Sequence, residues 1–316
     1  MKKWTWIGAL ALLIGAGYLG FQQYKIYIPG IISEWREPIG ENRPIAWAQG
    51  PAVAPSGKRP PNVILIVADD LGMNDISLYG GGVAGGAVPT PNIDSIAKQG
   101  VSFANGYAAN ATCSPSRAAL MTGRYPTRFG FEFTSIPAAF ASNLAHDDGN
   151  SPYPTIYHEE LNRDLPAYAD MGVPNAEIML PEILKAKGYH NIHIGKWHLG
   201  EKDGSRPWQV GFDEFTGFLG VANAYQEEHP SSTDVANDPE LLAQLRAMPG
   251  SRDLWSATKE RGGKSLGQIN WSNDATLDQK FATFSEDFIR RSVKSGKPFY
   301  LSHNFTKVHY FNQPSK

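Results

Sequence analysis

The chain has 316 residues, 41% hydrophobic and 19% charged, with a formal net charge of -2, the composition of a globular protein able to bury a sizeable core. No basic run or face stands out, which excludes an electrostatic drive toward nucleic acid and leaves a small molecule or a neutral polymer as the natural partner. The single cysteine, Cys113, excludes an intrachain disulfide and leaves one thiol to be explained.

After Lys2 and Lys3, the stretch from Trp4 to Tyr24 carries no charge, and its apolar part ends near Phe21. An apolar run of about 18 residues lies at the lower limit for a membrane span and above the usual core of a signal peptide. Trp4, Trp6, Tyr18 and Tyr24 suit the two membrane interfaces, and no clear Ala-x-Ala cleavage site follows. Residues 1–24 are therefore expected to direct export, either as an uncleaved anchor with Lys2 and Lys3 in the cytoplasm or as a cleaved signal. The protein is accordingly expected in the periplasm or on the membrane, with secretion as the alternative. Residues 25–60 are assigned to a linker, whose Pro-, Gly- and Ala-rich part from Arg43 to Asn62 has no sustained period and reads as semi-extended.

The folded domain is expected over residues 61–316. It opens with an unbroken apolar run, Val63 to Ala68, the pattern of a parallel strand buried on both faces. Thr90 is placed as an N-cap, Pro91 as the first residue of a helix and Gly100 as its stop, with Ile93, Ile96 and Ala97 on one face. A short strand is expected over Val101–Tyr107. "AEIMLPEILKAKGY" reads as a helix ended by Gly188, with Pro181 near its start, and Ile192 to Ile194 as a strand. "FATFSEDFIRRSVKSG" puts Phe281, Phe284, Phe288 and Ile289 on one helical face, and Phe299 to Leu301 returns to a strand. The alternation predicts an α/β fold, a doubly wound, mostly parallel sheet flanked by helices.

Ligands in such sheets gather beyond the carboxyl ends of the strands. Asp69 and Asp70 follow the first strand, Lys196 and His198 follow the strand at Ile192–Ile194, and His309 lies beyond Phe299–Leu301. Two adjacent acids are commonly a solvated turn, and a lone lysine or histidine is usually surface; the shared placement is what favours a site. Ser114, Pro115 and Ser116 read as the first turn of a helix running to Gly123, so Cys113 stands at a helix N-terminus that favours anions, with Arg117 and Arg124 adding to that field. A buried structural cysteine is the bland reading of this residue. A plain thiolate nucleophile would need a nearby base.

The pentapeptide Cys113-Ser114-Pro115-Ser116-Arg117, continued by "AALMTGRYP", resembles the signature of type I sulfatases of the alkaline phosphatase superfamily. "PNVILIVADDLGMNDISLYG", "TPNIDSIAKQGVSFANGYA", "LPEILKAKGYHNIHIGKWHLG", "GFDEFTGFLG" and "KPFYLSHNFTKVHY" resemble further blocks in the family's order. The resemblance runs from about Pro61 onward, interrupted by an atypical segment from Phe133 to Val173. It implies that a formylglycine-generating enzyme oxidises Cys113 to Cα-formylglycine. It implies that Asp69, Asp70 and the modified Cys113 ligate a divalent cation, calcium most often and magnesium as the alternative, both suited by hard oxygen ligands. Arg117 would hold the aldehyde hydrate, Lys196 and His309 the sulfate, and His309 would serve the leaving oxygen.

In that chemistry one hydroxyl of the hydrate attacks sulfur in line and expels the alcohol, and the second, losing its proton to His198, expels sulfate and regenerates the aldehyde. The implied substrate is a sulfated small molecule or glycan. Lys307 and Val308 depart from the small residue and proline that many relatives place before the histidine. A further acidic ligand and a further lysine expected after this block are not found before Lys316, so the chain reads as the N-terminal portion of an arylsulfatase-like enzyme, incomplete at the C-terminus. A phosphonate monoester or phosphodiester hydrolase of the same superfamily and an inactive, membrane-tethered binding module are the alternative functions. Substrate choice is expected from two rim segments, Phe133–Val173 and Asn223–Trp255.

Overall fold

The computed structural model describes residues 2–36, 59–81, 88–137, 157–163, 165–221 and 252–309. The central part of the first rim segment, residues 138–156, and the second as far as residue 251 lie outside the described residues, as do 37–58 of the expected linker.

The N-terminal region forms a body of its own. Helix α1, Lys2–Tyr24, is followed by a 3-10 turn at Lys25–Tyr27 and helix α2, Ile28–Arg36. The stretch assigned to the linker thus begins as helix. Between Thr5 and Tyr24, α1 is long and apolar enough to cross a membrane. Its large side chains, Leu12 and Leu19 among them, are exposed.

The second body is built on a six-stranded sheet in the order β1-β6-β2-β3-β4-β5, with β1 at Val63–Val67, β2 at His190–Lys196, β3 at Glu214–Phe218, β4 at Asp253–Thr258, β5 at Gly262–Gln268 and β6 at Phe299–Asn304. β1, β6, β2 and β3 run parallel, while β4 and β5 add an antiparallel hairpin. The longer helices are α3 (Pro91–Gln99), α4 (Cys113–Thr122), α5 (Leu180–Ala186) and α6 (Leu277–Ser295), with single turns at Glu159–Asn162 and Trp271–Asp274.

Two apolar cores on opposite faces explain why β2 and β6 are buried without alternation, whereas β1, expected to be buried on both faces, is covered on one only, with Ile64 and Ile66 47% and 54% exposed. Tyr300 of β6 joins Ala118 and Met121 of α4, Trp197, Phe212 and Phe215 on one face. Its neighbours Phe299 and Leu301 point the other way, to Ile192, Ile194 and the α6 residues Phe281 and Phe288. In α6 the covered stripe is Leu277, Phe281, Ser285, Phe288 and Ser292, at helical spacing; Phe284 lies off it and is 38% exposed. Gly296 ends the helix at φ 70°, a left-handed turn that glycine enters without steric cost.

Two further local expectations differ from the structure. Val101–Tyr107 is not a strand: it turns at Ala104–Asn105, and Val101, Phe103 and Tyr107 are largely exposed. A strand needs a ladder partner, and no described strand pairs with the outer edge of β1. Thr90 occupies the N-cap of α3 without capping it. Its hydroxyl donates instead to Asp94 at 2.9 Å and accepts from the Ser77 amide at 3.0 Å.

Candidate active site

The parallel register brings the expected residues together. Val67, the last residue of β1, lies beside Asn304 of β6, which lies beside Gly195 of β2. Gly195 has φ 96°, and a Cβ there would fall 1.8 Å from the Asn304 carbonyl oxygen, so only glycine permits this approach. Asp69 and Asp70, Lys196 and the turn carrying His309 all emerge from these adjacent strand ends.

Asp69 is the centre of the cluster. Lys196 Nζ donates to its Oδ2 at 2.7 Å, and Arg117 Nη2 donates to its Oδ1 at 3.0 Å. Asp69, Lys196 and Arg117 are all buried. Burial alone raises the Asp69 carboxyl, but the Lys196 and Arg117 charges outweigh it and hold the group at about 2, so it is ionised. Arg117 Nη1 also donates to the Lys196 carbonyl and to Asn304 Oδ1, each at 2.9 Å. The guanidinium therefore ties the ends of β1, β2 and β6 to α4, leaving two of its five donors for anything else.

Cys113 is the first residue of α4. Asn110 shapes the loop before it, accepting from the Thr112 amide at 3.0 Å, while Ser116 Oγ donates to the Asn110 carbonyl. Burial raises the Cys113 thiol, yet a hydrogen bond with His309 and the Lys196 charge leave it below its ordinary value. Burial likewise lowers His309, and the same hydrogen bond more than compensates, so the imidazole stays more basic than usual. His309 Nε2 is 3.8 Å from Asp70 Oδ2. A cavity of about 530 Å³ opens over Asp69, Asp70, Asn110, Cys113 and Arg117.

His198 belongs to the same electrostatic field but makes a different contact. Its Nε2–H donates to the Ser135 carbonyl at 2.9 Å, and Ser135 N–H donates to Ser114 Oγ at 3.2 Å, linking β2 to the start of α4. Burial first, then the Lys196 charge, drives its pKa well below the usual histidine value. The ring is neutral, with Nδ1 buried and without a described partner. His198 and Asp70 are the two non-glycine residues at positive φ, 55° and 60°, among the described residues, a conformation concentrated at functional sites.

Arg124 does not join the site. It stands just past the other end of α4, its Nη1 2.6 Å from both Glu177 carboxylate oxygens. Asn304, Asn110 and Ser135 were not anticipated from sequence. Asn304 closes a strand at the sheet's carboxyl edge, a position where the strand-end rule applies; Ser135 falls in the atypical segment and carries no signal.

Asp69, Asp70 and Cys113 offer ligand atoms within 4.8 Å of one another. Two carboxylates, one kept ionised by its neighbours, suit a hard divalent cation. The thiol does not, and an oxygen at position 113 completes the donor set better than sulfur.

The sulfatase family model matches residues 61–316. The chain belongs to the sulfatase family. It is 39% identical over 250 residues to N-acetylgalactosamine-6-sulfatase of Rattus norvegicus, covering 79% of this chain and 40% of that one. It is 29% identical to human arylsulfatase A, covering 84% and 44%. The crystal structure of the PsFucS1 sulfatase from Pseudoalteromonas sp. superimposes with a TM-score of 0.62 at 32% identity, over 81% of this chain and 46% of that one. The chain thus spans less than half the length of these sulfatases.

Proposed function

We propose that the protein is a sulfuric ester hydrolase that releases inorganic sulfate from a sulfated glycan or small molecule, using residue 113 as Cα-formylglycine. The observation that carries this reading is the ionised Asp69 clamped by Lys196 and Arg117 beside Cys113 and His309. Asp69, Asp70 and the oxygen of a modified Cys113 would hold calcium, with magnesium as the alternative, and the cation would supply Lewis-acid activation of that oxygen. Conversion of Cys113 by a formylglycine-generating enzyme explains why the lone cysteine stands at the head of a helix in a cationic site.

The chain's own groups then divide the work. Lys196 and Arg117 bring positive charge to a buried site where sulfate oxygens gain negative charge, and electrostatic stabilisation is strong where water is excluded. His309, more basic than an ordinary histidine, carries a proton to the leaving oxygen. His198, neutral and with its Nε2–H committed to Ser135, offers Nδ1 as the proton acceptor. The likeness to N-acetylgalactosamine-6-sulfatase favours a sulfated sugar. The apolar α1 supports export with membrane anchoring, toward the periplasmic side.

The test is the full-length protein made together with a formylglycine-generating enzyme. Peptide mass analysis should find the aldehyde at position 113. A chromogenic aryl sulfate should be hydrolysed faster than the matching aryl phosphonate, and chelation should abolish turnover that calcium restores. Only free thiol at Cys113 would sink the formylglycine chemistry. Preference for the phosphonate would make the protein a phosphonate hydrolase, and binding of sulfated oligosaccharide without turnover would make it a binding module.

A further inference from the structure

The turn that carries His309 is held from two sides. On one side it continues the β1–β6 ladder past both strand ends: Phe305 N–H donates to the Val67 carbonyl at 2.9 Å, Val308 N–H to the Asp69 carbonyl at 2.8 Å, and Asp69 N–H to the Lys307 carbonyl at 3.3 Å. On the other side stands a carboxylate from the first turn of α6. Asp278 Oδ1 accepts from the Thr306 amide at 2.8 Å, and Oδ2 accepts from the Thr306 hydroxyl at 2.8 Å and the Lys307 amide at 3.2 Å. The turn closes on itself through His309 N–H and the Thr306 carbonyl, 3.3 Å apart.

An acid in the first turn of a helix commonly serves the helix itself, by facing the positive end of its dipole. All three described hydrogen bonds of Asp278 instead leave the helix for Thr306 and Lys307. Hydrogen bonds to a charged acceptor are stronger than neutral ones. The same turn sets the direction of His309 and, through the paired amides of Asp69 and Val308, the height of the Asp69 backbone. One carboxylate, with no atom in the cavity lining, thereby fixes two groups of the site.

We propose that Asp278 is a positioning residue of the active site, holding His309 against residue 113 and Asp69 against Lys196 through the Thr306–Lys307 turn. The inference rests on the sulfate-ester reading for its effect on turnover, but its structural content is measurable without it. In the full-length, formylglycine-bearing protein, Asp278→Ala lowers kcat on an aryl sulfate on the order of 10- to 100-fold with KM within about twofold, as misplacement of reacting groups by about 1 Å does. Amide exchange accelerates in residues 67–70 and 304–309 and stays unchanged in β2 and β3. Asp278→Asn, which keeps one acceptor oxygen, recovers part of the loss. Glu286→Ala, on the same helix and facing solvent, changes neither readout.

A kcat per folded molecule equal to wild type with only a lower Tm would overturn the proposal and reduce Asp278 to a helix staple, as would unchanged exchange at residues 67–70. Should the wild type itself turn over no sulfate ester, the functional reading fails, and exchange decides alone: loosening confined to the two segments supports the positioning role, and its absence refutes it.

Discussion

Asn304 decides how much of the Arg117 clamp is built by the fold itself. Its Oδ1 accepts one guanidinium hydrogen bond while its Nδ2 donates to Ser302 Oγ at 2.9 Å, so the amide is oriented by a partner on its own strand. Removing it leaves a buried cationic donor unsatisfied, at about 1–3 kcal/mol. Asn304→Ala should therefore lower the unfolding free energy by that amount and weaken sulfate-ester turnover, while Asn304→Asp should restore the acceptor; urea unfolding of both variants checks it. Glu201 offers a second test. Burial raises its carboxyl to about 7, with Tyr168 and Arg206 only partly opposing. Between the ordinary glutamate range and pH 7 the folded state keeps a proton that the unfolded chain has lost, so its contribution to stability falls as pH rises through that window and is flat above it. The shift corresponds to an effect on the order of 3 kcal/mol. Glu201→Gln should flatten the slope of thermal stability between pH 4.5 and 7, without touching the acid limb near pH 2–4, where loss of the Asp69 and Glu214 charges acts in the opposite sense; an unchanged slope would dismiss the buried-acid explanation. At this scale sequence reading picked out, by chemistry and motif, seven residues that the fold gathers into one cluster, and it gave no sign of Asn304, Ser135 and Asp278. Those act through hydrogen bonds across 28 to 187 residues of sequence distance, in part through backbone groups, and no local pattern records them.

The helices and parallel strands that carry the site were legible because their signals are local and redundant. For α6 the apolar period and the glycine stop agree, and the structure answers with Phe281 and Phe288 fully buried on the sheet. Phe288 also meets Phe299 edge-on at 5.5 Å between ring centroids, so Phe288→Ala should cost about 3–5 kcal/mol, read as a fall in Tm with the second core loosened and α4 unaffected. A cost below about 1 kcal/mol would mean that this core repacks without it. Elements whose stability comes from a neighbour were not legible. The β4–β5 hairpin escaped because β5, "GGKSLGQ", has three glycines and is exposed over six of its seven residues, so it is held by backbone pairing with β4 and not by propensity. The opposite error arose at Val101–Tyr107, where β-type residues suggested a strand and no described ladder partner exists.

Taken whole, the sheet is covered unevenly. On the face where α6 shields β2 and β6, the outward residues of β1, Ile64 and Ile66, remain 47% and 54% exposed, whereas Val63 and Leu65 pack into the other core. Val101, Phe103 and Tyr107, exposed at 76%, 77% and 88%, add further apolar surface beyond α3. The outer edge of β1 has no partner among the described strands, and an apolar edge strand with open backbone groups is a template for self-association. Four of the five residues of β1 are isoleucine or valine, with no proline or charge to interrupt them, which is the composition that pairs readily with a second copy. Residues 59–316 produced without α1 should therefore self-associate at micromolar concentration. Replacing Ile64 and Ile66 together with lysine should suppress this, since inward or edge charges block strand addition, while far-ultraviolet circular dichroism stays unchanged because neither side chain belongs to a core. Sedimentation velocity of both proteins across a concentration series makes the comparison. A monomeric parent under those conditions would show that the β1 edge is protected in solution, and an associating lysine variant would move the sticky surface away from β1 to the Val101–Tyr107 segment.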